Sequence, residues 1–302
     1  HSDTMGAKDS GWIQIYAENN QEACDLHIQA FRIAEEMSIP VMVCMDGFVL
    51  THAFEEMDIP DQASVDAFLP PYRPRQQLDP DHPYSIGAMV GPEAFTEVRW
   101  LADRRMQEAI PVIEKTQALF HEIFGRNSGG LLSPYRMEDA EAAVLVMGAL
   151  AGTVKDAVDE MREDGARIGV IVLKSFRPFP FKALREALQS LRSVVVMERM
   201  VSAGGAGAVS LEVMKALRGL PVRQSTLIAG LGGRAVTRQA LKPYFARALA
   251  GTLEEKEIFL DLDEELVRRQ MEREKASRHI GPVAEALNRH VNERKLARGE
   301  EI

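Results

Sequence analysis

Ala143-Val-Leu-Val-Met147, Ile168-Gly-Val-Ile-Val-Leu173 and Val194-Val-Val-Met197 are three short, nearly uninterrupted apolar runs. Such runs suit strands buried on both faces, as in a parallel sheet, and not the in-out alternation of a half-solvated antiparallel one. The segments following them, 153–162, 182–191 and 207–218, place apolar residues at helical spacing, and a fourth run over 226–231 closes the series. Strands alternating with helices predict an open, mostly parallel sheet covered on both faces. The fold class is α/β.

Upstream, Trp12-Ile-Gln-Ile-Tyr16 alternates as a short half-buried strand. Asn19 with Glu22 three residues on reads as an N-cap and its capping-box partner, and Ala23, Leu26, Ala30, Ile33 and Ala34 continue as a helix to about Met37. Val41-Met-Val-Cys-Met45 follows Pro40 and ends in Asp46-Gly47, which predicts a second strand buried on both faces and closed by a turn. This is a βαβ unit. Between 54 and 92, Pro60, Pro70, Pro71, Pro74, Pro80 and Pro83 exclude a single helix or a central strand. Its apolar Ile59, Phe68, Leu69, Tyr72 and Tyr84 have no periodicity with which to join a local core, so they are expected to lie against a partner subunit. A helix over about 92–124 leads to Gly125-Arg-Asn-Ser-Gly-Gly130, the expected hinge. The expected division is 1–127, 128–252 and a charged extension over 253–302, helical at 264–279 and 283–298.

Composition narrows the function. The chain of 302 residues is 46% hydrophobic and 27% charged, a balance found in soluble globular proteins. A net charge of -9 argues against a nucleic-acid partner, which would draw on clustered Lys and Arg. No apolar window reaches membrane-span length and no signal-peptide pattern opens the chain, so a cytoplasmic location is expected. Cys24 and Cys44 form no CxxC pair, and an iron-sulfur cluster would have to sit in another chain. The chain opens on His1 and not Met, and an N-terminal segment is expected to precede it.

Met147-Gly-Ala-Leu-Ala-Gly-Thr153 and Ser202-Ala-Gly-Gly-Ala-Gly-Ala208 each put small residues between a strand and a helix, where backbone amides suit a phosphate or where close packing demands glycine. Neither is the dinucleotide-binding GxGxxG. Gly205 and Gly232 are expected in turns that need positive φ or tight packing. Asn19-Asn20 has the look of the asparagine pair that helps hold magnesium in thiamine-diphosphate enzymes, but no GDG precedes it, and capping accounts for Asn19. His52, just past a parallel strand, is either a ligand or a hydrogen-bonded turn residue. His1, Ser2, Asp3, Lys8 and Asp9 carry acid, base and hydrogen-bonding groups in one polar segment.

These residues together resemble a known family. His-Ser-Asp-Thr-Met-Gly-Ala-Lys-Asp-Ser-Gly-Trp-Ile-Gln (1–14), Glu18-Asn-Asn-Gln-Glu-Ala23, Pro40-Val-Met-Val-Cys-Met-Asp-Gly-Phe48, Ile59-Pro-Asp61 and Phe68-Leu-Pro-Pro71 resemble the alpha subunit of 2-oxoacid:ferredoxin oxidoreductases. Phe176-Arg-Pro-Phe-Pro180, Gly204-Gly-Ala-Gly207 and Gly230-Leu-Gly-Gly-Arg234 are similar to that family's core domain II, itself like the C-terminal domain of transketolases.

The resemblance implies oxidative decarboxylation of a 2-oxoacid, pyruvate first, on thiamine diphosphate with CoA as co-substrate and ferredoxin as electron acceptor. Phenylglyoxylate and 2-oxoisovalerate are alternatives, as is a noncatalytic assembly module. It also implies a beta subunit holding the diphosphate and Mg2+, a gamma subunit, and a ferredoxin-like subunit, with the iron-sulfur clusters in these partner chains. Residues 1–127 would then be the C-terminal part of a pyrimidine-type thiamine-binding domain, its remaining strands coming from a segment before His1 or from another chain. The family's activating glutamate, substrate-loop threonine and carboxylate-binding arginine all precede the His1-Ser-Asp3 segment. That places His1 and Asp3 in a loop at the active-site rim, where a turn-capping Asp3 bonded to the Met5 amide is the alternative.

Overall fold

A computed structural model describes residues 1–87, 89–205 and 207–275, with 281, 289 and 290. Residues 1–260 form one unit and 261–302 a second. In the first unit α1 (Ser2–Gly6) leads to β1 (Ile13–Tyr16), α2 (Asn20–Met37) and β2 (Val41–Cys44). Then come α3 (Gln62–Phe68), α4 (Phe95–Phe124), β3 (Leu132–Tyr135), β4 (Ala142–Val146), α5 (Leu150–Glu163), β5 (Ile168–Leu173) and β6 (Ser175–Arg177). The unit ends with α6 (Phe181–Leu188), β7 (Ser193–Glu198), α7 (Ala208–Leu217), β8 (Arg223–Ile228), α8 (Arg238–Leu249) and β9 (Glu257–Phe259).

The predicted open sheet is present, with order β3-β5-β4-β7-β8-β9. All neighbours are parallel except β3, which runs antiparallel to β5 on one edge. Successive side chains of a strand point to opposite faces. Val144 and Val146 therefore pack toward Val154 of α5 and Phe245 of α8, while Leu145 joins Leu184 of α6 and Val213 of α7. β4 is followed in sequence by β5 on one side, and β7 then returns on the other, so the strand order reverses between β4 and β7.

The βαβ unit at the start is also present. Asn19 accepts the Glu22 amide at 2.8 Å, the cap the sequence predicts, and α2 packs Leu26, Ile33 and Met37 against Ile13 and Ile15 of β1. Its sheet has order β2-β1-β6, so the third strand is supplied from beyond β5. Gln14 and Ile15 pair antiparallel with Arg177 and Ser175.

Five expectations change. β1 is not half-buried: Ile13, Gln14, Ile15 and Tyr16 are all buried, because β1 is the central strand of its sheet. β2 is not covered on both faces: Val41, Met42 and Val43 are half-buried, because β2 is an edge strand and a shallow groove lined by Phe31 and Ala34 stays open beside it. The 125–130 segment is not a free hinge. Ser128, Gly129 and Gly130 are buried; Gly129 donates its amide to Glu22 at 3.0 Å, and Arg126 and Ser128 bond to Asp25. Phe68 joins a local core after all, edge-on to Phe120 and Phe124, because the Pro-rich stretch contains α3. Ile59, Tyr72 and Tyr84 stay exposed. Finally, residues 1–12 are not a plain loop, since Ser2–Gly6 is a helical turn that buries Met5.

In the second unit α9 (Glu264–Lys275) carries the i,i+4 pairs Arg268–Glu272 and Arg269–Glu265, at 3.2 and 2.8 Å. The rest of the helical extension read from sequence, 276–279 and 283–298, lies outside the described residues apart from 289 and 290.

Candidate active site

Open α/β sheets bind ligands beyond the carboxyl ends of their strands, where the strand order reverses. A cavity of about 630 Å3 lies next to that place, beyond β7 and β8, and is lined from the other side by the carboxyl ends of β1 and β2 and by α1. Both residues singled out in sequence, His1 and Asp3, line it. His52 does not: it is exposed, bonded to Thr51 Oγ1 at 3.0 Å, the turn-residue reading of its position.

The centre of the site is Asp46, the first residue of the turn after β2, only 4% exposed. Its Oδ1 accepts His1 Nε2 at 2.7 Å and Arg199 Nη1 at 2.8 Å, and its Oδ2 accepts the backbone amide of Ala149. His1 packs edge-on against Tyr16, with ring centroids 5.4 Å apart. The Tyr16 hydroxyl donates to Thr4 Oγ1 at 2.7 Å, which donates to the His1 carbonyl at 3.0 Å. Burial lifts the Tyr16 phenol far above its usual range, so it works as a fixed donor. Burial likewise pushes the Cys44 thiol up to about 12, which removes it as a nucleophile. Asp3 is exposed at the rim, and its Oδ1 accepts the Thr4 amide at 2.9 Å and not that of Met5.

The two glycine motifs resolve as packing. Ala149 caps α5, and its amide is occupied by Asp46. Gly148, at φ +74°, has no room for a Cβ, which would lie 2.5 Å from Asp46 Oδ2 and 3.0 Å from His1 Nε2. At α7 the amide of Ser210 donates to buried Glu198 at 2.8 Å, and a Cβ on Gly207 would overlap that carboxylate. Each helix start thus has an amide taken by a carboxyl group of this chain. Gly205 is not the tight position, having only ordinary contacts at 3.6 Å and beyond. Gly232 does need its glycine, at φ +63° in the turn that rims the cavity.

With the Asp46 carboxylate seated at the start of α5, the residues here disfavour a diphosphate, since like charges repel. Nor do they fit its metal: among the described residues no group of three His, Cys, Asp or Glu could hold one. Asp46 and Arg199 are the residues that sequence reading missed. Arg199 directly follows β7 and Asp46 lies two residues past the end of β2, and that position is the only local signal either carries.

Glu198 offers a direct test of burial. Loss of solvent raises its carboxyl from 4.5 to about 7. The folded state then holds the proton more tightly than the unfolded chain. The group's contribution to stability is full below about 4.5 and is lost as pH rises through about 7. Glu198→Gln keeps an acceptor for Ser210 and is expected to remove ~2–3 kcal/mol of this pH-dependent loss. Urea unfolding at pH 5 and pH 8 should show a flatter slope in the variant; an unchanged slope would mean that Glu198 is charged in the fold.

Comparison with known proteins follows the same division of the chain. Residues 1–118 match the family model "pyruvate flavodoxin/ferredoxin oxidoreductase, thiamine diP-bdg", and residues 140–241 match "pyruvate:ferredoxin oxidoreductase core domain II". The chain is 40% identical over 276 residues to pyruvate synthase subunit PorA of Methanosarcina barkeri, covering 88% of this chain and 68% of that one. It is 42% identical over 240 residues to PorA of Pyrococcus abyssi, covering 78% and 60%. Ketoisovalerate oxidoreductase subunit VorA of Pyrococcus horikoshii is 37% identical over 244 residues, covering 80% and 62%. The chain therefore spans roughly three-fifths to two-thirds of the length of these relatives. Among solved structures, 2-oxoglutarate:ferredoxin oxidoreductase from Magnetococcus marinus shares the fold at 12% identity and a TM-score of 0.51, over 79% of this chain and 42% of that one. No helix among the described residues is long and apolar enough to cross a membrane.

Proposed function

Because this chain belongs to the pyruvate synthase alpha-subunit family of 2-oxoacid:ferredoxin oxidoreductases, we propose that it forms one wall of the catalytic cleft in a multi-subunit enzyme. That enzyme oxidatively decarboxylates pyruvate with CoA and passes the electrons to ferredoxin. The likeness over 276 residues to a pyruvate synthase subunit carries this reading. A branched 2-oxoacid such as 2-oxoisovalerate is the second reading, favoured by the 37% identity to VorA. Thiamine diphosphate supplies the carbanion chemistry of this reaction class. Since the amides here are taken by carboxylates, we assign its diphosphate and Mg2+ to a beta subunit. The iron-sulfur clusters are assigned to partner chains, with gamma and ferredoxin-like subunits completing a cytoplasmic complex. Residues 1–127 would be its pyrimidine-side unit, 128–252 its core domain II and 253–302 an extension.

In this reading His1 and Asp3 face the reacting centre across the 630 Å3 cleft. The complex assembled with its partner chains should reduce ferredoxin or a viologen dye on addition of pyruvate and CoA. Asp3→Asn should lower kcat/KM by about three- to tenfold with thiamine occupancy unchanged. Unaltered kinetics across pH would remove Asp3 from the site. A complex that assembles but oxidises no 2-oxoacid would make the chain an assembly module.

The Pro-rich arm supports a subunit contact, because Phe54, Ile59, Leu78 and Met89 are each exposed, as is Trp100 of α4. Amide exchange over 54–92 is expected to slow by about tenfold or more on assembly. Equal rates in the isolated chain and the complex would rule out that contact.

A further inference from the structure

We propose that Asp46 is the positioning residue of the cleft, setting the tautomer of the His1 imidazole and fixing it against Arg199. The inference rests on the proposed 2-oxoacid chemistry, in which the cleft faces the reacting centre. Three observations carry it. Asp46 is 4% exposed, yet it accepts from a side chain of the first sheet's region, His1, from a side chain beyond β7, Arg199, and from the Ala149 amide at the start of α5. One carboxylate thereby joins the two halves of the site. A carboxylate accepts only, so the nitrogen facing it, Nε2, carries the ring proton, and Nδ1 is left as the acceptor. Among the described residues no hydrogen bond is made by Nδ1.

The third observation is space. Gly148 adopts φ +74°, and any Cβ there would press on Asp46 Oδ2 and His1 Nε2. The glycine motif after β4 makes room for this pair, an arrangement that a simple surface turn would not require. The titratable and charged groups around the pair are Asp3 on α1, Tyr16 on β1, Cys44 on β2 and Arg199 after β7. Of these only Arg199 also bonds Asp46, so loss of the Asp46 carboxylate leaves His1 without its anionic partner. His1 is thus the group poised to take or give a proton, at Nδ1, and Asp46 acts through it.

The test uses the assembled, 2-oxoacid-oxidising complex. Asp46→Asn should lower kcat by about tenfold or more while the KM for pyruvate moves by less than about threefold. The pH profile of kcat should change as well, since the carboxylate that faces His1 is gone. In the His1→Gln background, Asp46→Asn should add little further loss. Nitrogen-15 histidine spectra should show the Nε2-protonated tautomer at His1 in the wild type and a mixture in Asp46→Asn. If Asp46→Asn fails to assemble, Gly148→Ala, which retains the carboxylate but crowds the pair, decides the matter by the same tautomer and kcat readouts, and His1→Gln by kcat alone. Unchanged kcat and pH profile in a folded Asp46→Asn complex would reduce Asp46 to a structural clamp and overturn the proposal. So would an equal loss with and without His1. A wild-type complex that oxidises no 2-oxoacid would instead overturn the functional reading, while the tautomer spectra would still report on the pairing.

Discussion

Replacing Lys174 by methionine is expected to destabilise the chain by about 3–5 kcal/mol, the cost of leaving a buried carboxylate without its cation. Lys174 is 3% exposed, between β5 and β6, and its Nζ lies 2.6 Å from Glu22 and 3.3 Å from Glu18. Methionine keeps the length and apolar stem of the side chain, so packing changes little and the loss reports on charge. Glu22 would retain the Glu18 and Gly129 amides at 2.8 and 3.0 Å, but hydrogen bonds alone do not neutralise a buried anion. Glu18 suffers less, because Lys155 still reaches it at 2.8 Å. Urea unfolding measures the effect, and Glu22→Gln combined with Lys174→Met should recover part of it. A loss below about 1 kcal/mol would mean that Glu22 does not depend on Lys174 in the fold.

Arg126→Ala is expected to cost a similar ~3–5 kcal/mol, and Asp25→Asn distinctly less. The asymmetry follows from burial. Asp25 is 0% exposed and takes a two-pronged contact from Arg126, at 2.9 and 2.8 Å, besides the Ser128 hydroxyl at 2.6 Å. Without the guanidinium it is a buried, unpaired charge. Arg126 is part-exposed, and losing Asp25 still leaves it Asp58 at 2.7 Å and the rings of Phe120 and Phe124. Paired unfolding curves for the two variants test the order, and equal costs would contradict it. The same contacts explain why 125–130, read from its glycines as a hinge, is held in place.

What the sequence determined by itself is the local part of this protein. β-branched runs and helical spacing located β4, β5, β7 and β8, and the Asn19 cap located the start of α2, because each depends on residues a few positions apart. His1 and Asp3 were found as a polar segment, and both line the cleft. Tertiary structure decided the rest. β6, only three residues long, has no periodicity of its own and becomes a strand because β1 offers it an edge. Phe68 finds its cover across a long separation in sequence, on α4. Asp46 gives no local sign of its role, because its partners lie at positions 1, 149 and 199. The segments after β4 and β7 read first as close packing with a phosphate loop as the lesser alternative, and folding seats Asp46 on the Ala149 amide and Glu198 on the Ser210 amide. A carboxylate carries no pattern in sequence that names which distant donors will surround it; only folding, which sets the ends of β2, β4 and β7 beside His1, brings those donors together.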